Sequence, residues 1–218
     1  MTYGPSDFAK EFAIPDDISA RFRAFDATLL DWSSRHNLVA RSTLEHRWER
    51  HYRDSAQLFS FLPGDAKTIA DFGSGAGFPG LVLAAMGLDR GLKIVLIESI
   101  GKKAAFLNAA ITAMALDNVE VIPQRIESIA ISPPDVVTAR ALAQLDRLLA
   151  YAYEIAQKET LLIFPKGQDV EAELTEAAKS WHMRVEKRPS VTSPGSTILL
   201  IRDFMPNDAG QRSGTKGK

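Results

Sequence analysis

Asp71, Gly73, Gly75 and Gly77 follow one another at every second position, where a short apolar run around residues 68–72 ends. An acid and alternating glycines in that register suit a nucleotide-like ligand. Glycine lets the chain turn sharply and approach a ligand where a Cβ would clash. The acid can attract a cation, which a sulfonium provides and a pyrophosphate does not. Glu98 ends the next apolar run, where a carboxylate can accept hydrogen bonds from both hydroxyls of a ribose. The stretch Gly75 to Gly80 also matches the dinucleotide pattern GxGxxG. That pattern needs its first glycine directly after the strand, which here is Gly73, and its third position then falls on Phe78. Pro79 offers no N–H to a pyrophosphate, although it suits the first turn of a helix. These residues favour S-adenosylmethionine over NAD, and leave open NAD or a tight turn with no ligand.

The elements that must carry these residues follow from hydrophobic periodicity. Ile18, Phe22, Phe25, Leu29 and Trp32 lie near helical spacing and predict a helix over 16–37. Ser42 and Glu45 form an S-x-x-E capping box, predicting a second helix that runs to about residue 61, before Pro63-Gly64. From Lys67 onward, strands are expected at 68–72, 93–98, 119–122, 135–139 and 161–164. Helices are expected between them, at 79–87, 100–115, 142–157 and 170–181. That alternation implies a parallel sheet covered on both faces. Strands at 183–189 and 197–203, joined by the turn-rich "SVTSPGS", predict an antiparallel pair closing one edge. Residues 1–64 are thus read as a helical extension, 65–205 as the α/β domain, and 206–218 as a polar, disordered tail. In an open α/β sheet the ligand sits beyond the carboxyl ends of the strands. Asp71–Gly77, Glu98, Arg125–Ser128, Arg140 and Lys166 stand at those ends.

Composition narrows the chemistry. With 218 residues, 45% of them hydrophobic, the chain can bury one sizeable core. No cysteine is present, and the four histidines form no HExxH pair, which argues against a metal site. No apolar run approaches the roughly 20 residues that span a bilayer, and the first residues do not read as a signal peptide. A cytoplasmic protein is expected. The net charge of −1 is unevenly spread: Arg35, Arg41, Arg47, Arg50 and Arg53 cluster with His36, His46 and His51. Such a patch can bind phosphate, or can simply be a solvated helix face.

Several stretches taken together are more specific than any one of them. "DFGSGAGFPG", "IESIGKKAAFLN", "QRIESI", "ARAL" and "FPKGQ", with "WSSRHNL" and "RHYRDS" before them, resemble the glucose-inhibited-division protein B family. This is the ribosomal small-subunit methyltransferase G group, and the likeness covers about residues 20–204 in order. The resemblance implies a class I Rossmann-like methyltransferase with a seven-stranded sheet, an antiparallel last strand and an N-terminal helical extension. It implies transfer of a methyl group from S-adenosylmethionine to ring nitrogen 7 of guanine 527, in the 530 loop of 16S ribosomal RNA, and a monomer is expected. It places cofactor contacts at Gly73, Phe78, Ile126, Glu127 and Arg140, beside the Asp71, Gly75, Gly77 and Glu98 read above. Ala76, Phe78 and Glu98 depart from the family's frequent proline, leucine and aspartate.

Nitrogen 7 of guanine carries a lone pair and no proton, so its attack on a methyl group needs no general base. No convincing nucleophile–base pair stands at the strand ends. Catalysis by positioning is therefore expected, with Arg140 and Lys166 as orienting residues. Arg35, Arg50, His51, Arg53 and Lys166 are the expected RNA contacts. A dinucleotide oxidoreductase and a non-catalytic RNA-binding assembly factor are the competing readings.

Overall fold

The computed structural model describes residues 2–207. Helix α1 (Pro5–Glu11) and helix α2 (Asp16–Ser33) open the chain, followed by α3 (Arg41–Leu44). A π-helical turn (Trp48–Arg53), α4 (Asp54–Ala56) and a 3-10 turn (Gln57–Phe61) then run end to end. Seven strands follow with four further helices. They are β1 (Thr68–Phe72), α5 (Gly80–Met86), β2 (Lys93–Ile97), α6 (Gly101–Met114), β3 (Val119–Ile122), β4 (Val136–Ala139), α7 (Leu145–Tyr153), β5 (Leu161–Lys166), α8 (Val170–Ala177), β6 (Trp181–Pro189) and β7 (Thr197–Pro206).

The strands form one sheet in the order β3-β2-β1-β4-β5-β7-β6. β1 to β5 pair in parallel, whereas β7 runs antiparallel to both β5 and β6. An antiparallel strand inserted between β5 and β6 departs from the parallel 3-2-1-4-5-6 order of dinucleotide-binding sheets. Strand order reverses between β1 and β4, and the crevice expected at such a switch point lies where the glycine turn and Arg140 emerge.

The sheet is buried on both faces, and side chains alternate between them as the pleat requires. Ile69, Leu96, Val136 and Ile163 face Phe25 of α2, Leu81 of α5 and Phe106 of α6. Ala70, Phe72, Val137, Leu162 and Phe164 face Leu148 and Leu149 of α7. The N-terminal helices join the first of these cores directly, since Phe8, Phe22, Trp48 and Tyr52 belong to it. Each fully buried Phe or Leu contributes about 1.5–3 kcal/mol.

The structure departs from the expected elements at several places. Residues 42–61 are a succession of short turns, not one helix. The Ser42–Glu45 cap does not form either, because α3 starts at Arg41 behind Ala40 and Ser42 already lies inside it. The irregularity has a packing reason. The π-helical turn buries Trp48, His51 and Tyr52 together, and Trp48 stacks on Tyr52 with ring centres 4.1 Å apart. Helix α1 was not foreseen, because its seven residues place only Phe8 in the core. The end of the chain also differs: α8 stops at Ala177, β6 begins at Trp181, and β7 reaches Pro206. Of the expected tail, residues 208–218 lie outside the described residues.

Candidate functional site

The β1 strand ends beneath the glycine turn. Gly73, Gly75 and Gly77 all take positive φ, at 63°, 55° and 82°. A Cβ on Gly73 would lie 2.6 Å from Cδ1 of Leu142, which reaches over the turn from the segment after β4. Glu98 ties the turn to the next helix. Its Oε2 accepts the Gly75 N–H at 2.9 Å and its Oε1 accepts the Ile100 N–H at 2.8 Å. Each carboxylate oxygen has a second lone pair, so Glu98 can still accept hydroxyl donors. Together these residues wall a cleft of about 320 Å³, in the range of small-ligand sites, with Gly73, Glu98, Ile126, Glu127, Leu142 and Tyr151 among its lining. Glu127 is held by residues that sequence reasoning missed. It accepts the Tyr151 O–H at 2.8 Å, and Arg147 stacks over the Tyr151 ring. Its own backbone N–H first, and then the Tyr151 hydroxyl, keep the Glu127 carboxyl below the usual range.

Asp71 does not face this cleft. Its side chain is fully buried on the α5 side of the sheet, where Oδ1 accepts the Thr138 hydroxyl at 2.8 Å from the neighbouring strand. Oδ2 is buried against Gly80 at the start of α5, without a hydrogen bond of normal geometry. The expected direct attraction of a ligand cation is corrected: Asp71 supports the turn from below. Side chains alternate along a strand, and Asp71 falls on the face that α5 covers.

Burial pushes the Asp71 carboxyl up from 3.8 to about 6. The folded state therefore holds this proton more tightly than the unfolded chain. The associated stability is full below about pH 4 and is lost as pH rises through about 6. Relative to Asp71→Asn, wild type is expected to lose about 2 kcal/mol of stability between pH 4 and pH 7. Urea unfolding of both proteins across that range checks it, and a pH-independent difference would show that Asp71 titrates as in the unfolded chain.

A second cleft, about 370 Å³, adjoins the first and shares Ala141 and Ala143 with it. Arg50, Asp54, Arg140, Lys166 and Thr192 line it. Arg140 donates to the Arg50 carbonyl and to Nδ1 of His51, both at 3.2 Å, and its guanidinium lies over the Phe78 ring at 5.3 Å. A guanidinium can only donate, so Nδ1 of His51 is the acceptor and Nε2–H donates to Thr43 Oγ1 at 2.9 Å. Burial, with Arg140 and Arg50 nearby, pushes the His51 pKa down to about 3. His51 is thus a neutral support for Arg140, stacked on Phe78, and not a cation offered to phosphate. Phe78 is buried among Phe25, Tyr52 and His51, so its side chain joins the N-terminal helices to the turn instead of reaching the first cleft.

The other expected RNA contacts divide. Lys166 is corrected: its side chain is only 8% exposed, and its ammonium donates to the Ala143 carbonyl at 3.0 Å and to Glu173 at 2.7 Å. It anchors the segment between the clefts. Arg53 is committed to Glu11 through both Nε and Nη2, and donates to the Val191 carbonyl. Arg47, from the same patch, forms a two-point pair with Asp26. Arg35 is exposed and pairs with Asp31 one helical turn away. Arg50 is exposed on the second cleft, with no side-chain hydrogen bond or ion pair among the described residues. Sequence spacing could mark the patch as basic, but not which arginines meet carboxylates distant in the chain.

Comparison with known proteins agrees with this architecture. The profile of the family described as rRNA small subunit methyltransferase G matches residues 18–200. Ribosomal RNA small subunit methyltransferase G of Rhodospirillum centenum is 44% identical over 207 residues, covering 94% of this chain and 93% of its own. The protein of the same name from Dinoroseobacter shibae is 42% identical over 184 residues, covering 84% and 94%. Among solved structures, the mitomycin 7-O-methyltransferase MmcR superposes with a TM-score of 0.57 at 14% identity, covering 91% of this chain and 71% of that one. TYW2 of M. jannaschii, solved in complex with AdoMet, gives 0.55 at 14% identity and 80% coverage of both chains. At such identities the structural likeness speaks for the fold.

Proposed function

The chain belongs to the rRNA small subunit methyltransferase G family, and on that premise we propose that it uses S-adenosylmethionine to methylate ring nitrogen 7 of a guanine in 16S ribosomal RNA. One observation carries the reading beyond the family. Two clefts share a wall at Ala141 and Ala143, one bounded by the glycine turn and Glu98, the other by Arg50 and Arg140. Cofactor and base can then meet across that wall.

The first cleft fits the cofactor. The Gly73 backbone and the Leu142 side chain packed over it wall the cleft, and Glu98 presents acceptors suited to a ribose. Gly73, Gly75, Glu98, Ile126 and Glu127 would hold it, with Gly77 shaping the turn and Asp71 and Phe78 supporting it from behind. When bound, S-adenosylmethionine supplies an electrophilic methyl group. The remaining work falls to the chain's own residues. Both ring nitrogens of His51 are engaged, which suits an acceptor atom that needs no base. Arg140 is fixed by His51 and the Arg50 carbonyl, and Lys166 fixes the wall, so positioning is the main source of rate. A base in an RNA stem or loop must leave its stack to enter the second cleft.

The N-terminal helices, through Arg50, serve as the RNA-facing part in this reading, and the α/β sheet carries the cofactor. A single copy contributes both clefts, which supports a monomer. Among the described residues no helix is long and apolar enough to cross a membrane; a cytoplasmic site follows from the proposed substrate. Small subunits from a strain lacking the enzyme, incubated with the purified chain and labelled S-adenosylmethionine, are expected to gain one 7-methylguanosine. Naked 16S RNA assayed in parallel separates the two substrate forms. No 7-methylguanosine with either would end the reading.

Arg50→Glu is expected to weaken RNA binding about tenfold or more and to lower the slope of log K against log salt by about one. S-adenosylmethionine affinity should stay within about twofold. Loss of cofactor affinity alone would show that Arg50 serves the other cleft. The double change with Arg53→Glu is a poorer test, because it also sets a new carboxylate against Glu11 and Glu49.

A further inference from the structure

We propose that Asp54 reads the donor edge of the target guanine, an inference that rests on the function proposed above. Asp54 lies on the wall of the second cleft, directly after the π-helical turn. Its Oδ1 accepts Gln57 Nε2 at 2.9 Å and the Thr192 hydroxyl at 2.7 Å, which fixes the carboxylate from two directions. Gln57 is itself held, its Oε1 accepting the Val191 N–H at 2.9 Å. Oδ2 has one contact, from Arg140 Nη1 at a long 3.5 Å. This oxygen retains the capacity to accept further donors.

The other carboxylate of this cleft, Glu173, is paired with Lys166 and makes no ion pair with Arg140 among the described residues. Glu173 Oε2 already accepts the Leu145 N–H at 2.9 Å and the Lys166 ammonium at 2.7 Å. The second cleft therefore presents an acceptor, Asp54 Oδ2, directly beside a fixed donor, Arg140. Guanine carries the matching order on one edge: the O6 acceptor adjoins the N1–H and 2-amino donors. Adenine carries the opposite order, with an amino donor at position 6 and an acceptor at N1. An adenine would set its amino group against the guanidinium and its N1 lone pair against the carboxylate. Groups left unpaired in this way account for strong rejection of a near-isosteric ligand. Asp54 is thus a specificity residue that touches the base, and its partners Gln57 and Thr192 hold it in place.

Inosine tests this, because the single free oxygen, Oδ2, would accept both the N1–H and the 2-amino group, and inosine lacks only the 2-amino donor. Reconstituted small subunits carrying guanosine or inosine at the methylated position would be assayed with the full chain for kcat/KM. Wild type is expected to prefer guanosine by about tenfold, the discrimination typical of a well-made base contact. Asp54→Asn should lower activity on guanosine and bring the guanosine-to-inosine ratio close to one. Asp54→Glu, which keeps a carboxylate, should preserve part of the preference. Thr192→Val, which removes a support without removing the acid, should lower kcat/KM and keep the ratio. Calorimetry with S-adenosylmethionine reports whether each variant is folded. Equal use of guanosine and inosine by wild type would overturn the inference, even if Asp54→Asn failed to fold. An unchanged ratio in folded Asp54→Asn would do the same and would leave Asp54 with a supporting role alone. A wild-type chain that forms no 7-methylguanosine on the guanosine substrate would instead strike the proposed function, and this inference with it.

Discussion

Gly75→Asp is expected to lower S-adenosylmethionine affinity on the order of 100-fold or more in a protein that still folds. Gly75 takes φ +55°, a conformation that costs an ordinary L-residue about 1–2 kcal/mol and that aspartate tolerates better than most. A Cβ there meets only the Gly73 carbonyl oxygen, at 3.6 Å, so the core is left intact. The damage is electrostatic and local. The Gly75 N–H is hydrogen-bonded to Glu98, and a second carboxylate on the same residue would stand close to the first. Two like charges about 4 Å apart repel by about 4 kcal/mol in surroundings typical of a protein surface. The new side chain can escape that repulsion by swinging into the cleft or by pulling Glu98 off the turn. Either response spoils the arrangement proposed to hold the cofactor. Titration calorimetry with S-adenosylmethionine, on a variant whose thermal unfolding is checked separately, measures the effect. Affinity unchanged in the folded variant would remove the cofactor from this turn.

The second large effect is on stability. Gly80→Ala is expected to cost about 3 kcal/mol, a fall in Tm of about 6–12 °C for a chain of this size. Gly80 has negative φ, so backbone strain is not the cause. The cause is contact: a Cβ would lie 2.2 Å from Leu96 Cδ2 and 2.8 Å from Asp71 Oδ2. Leu96 and Asp71 are both fully buried, so neither can retreat without disturbing β1, β2 or the start of α5. The Asp71 carboxylate would also be driven from the helix start it faces. Gly64→Ala is the control, because nothing lies within 4 Å of the added carbon. Its Tm should change by no more than about 2 °C. Equal stability of the two variants would show that α5 can shift away from the sheet at little cost.

Gly80 also shows how closely a motif can match for the wrong reason. It completes a dinucleotide-like GxGxxG with Gly75 and Gly77, yet its missing Cβ makes room for Leu96 and Asp71 beneath α5. The alternation of acid and glycines from Asp71 to Gly77 was legible because a turn with three positive φ values needs glycine in that local register. The five parallel strands were legible for a similar reason. Each is a short apolar run bounded by turn residues, which is how a strand covered on both faces reads, and its shortness separates it from a buried helix. Helix α2 was equally plain, with Ile18, Phe22, Phe25 and Leu29 on its buried face.

What the sequence did not disclose depends on residues far apart in the chain. Arg53 is drawn to Glu11 and Arg47 to Asp26, so two arginines of an apparent phosphate-binding patch are neutralised internally. His51 is pressed between Phe78 and Arg140, where burial keeps it neutral. Asp54 could be quoted as part of a motif, but its link to Thr192 spans 138 residues and exists only once the β6–β7 connection folds back onto the N-terminal helices. Local backbone requirements and hydrophobic period act over a few residues, so the sequence alone determined the sheet, the turn and the family resemblance. Charge pairing and burial depend on which surfaces meet in space, so only the tertiary structure decided which of the candidate side chains remain free to act.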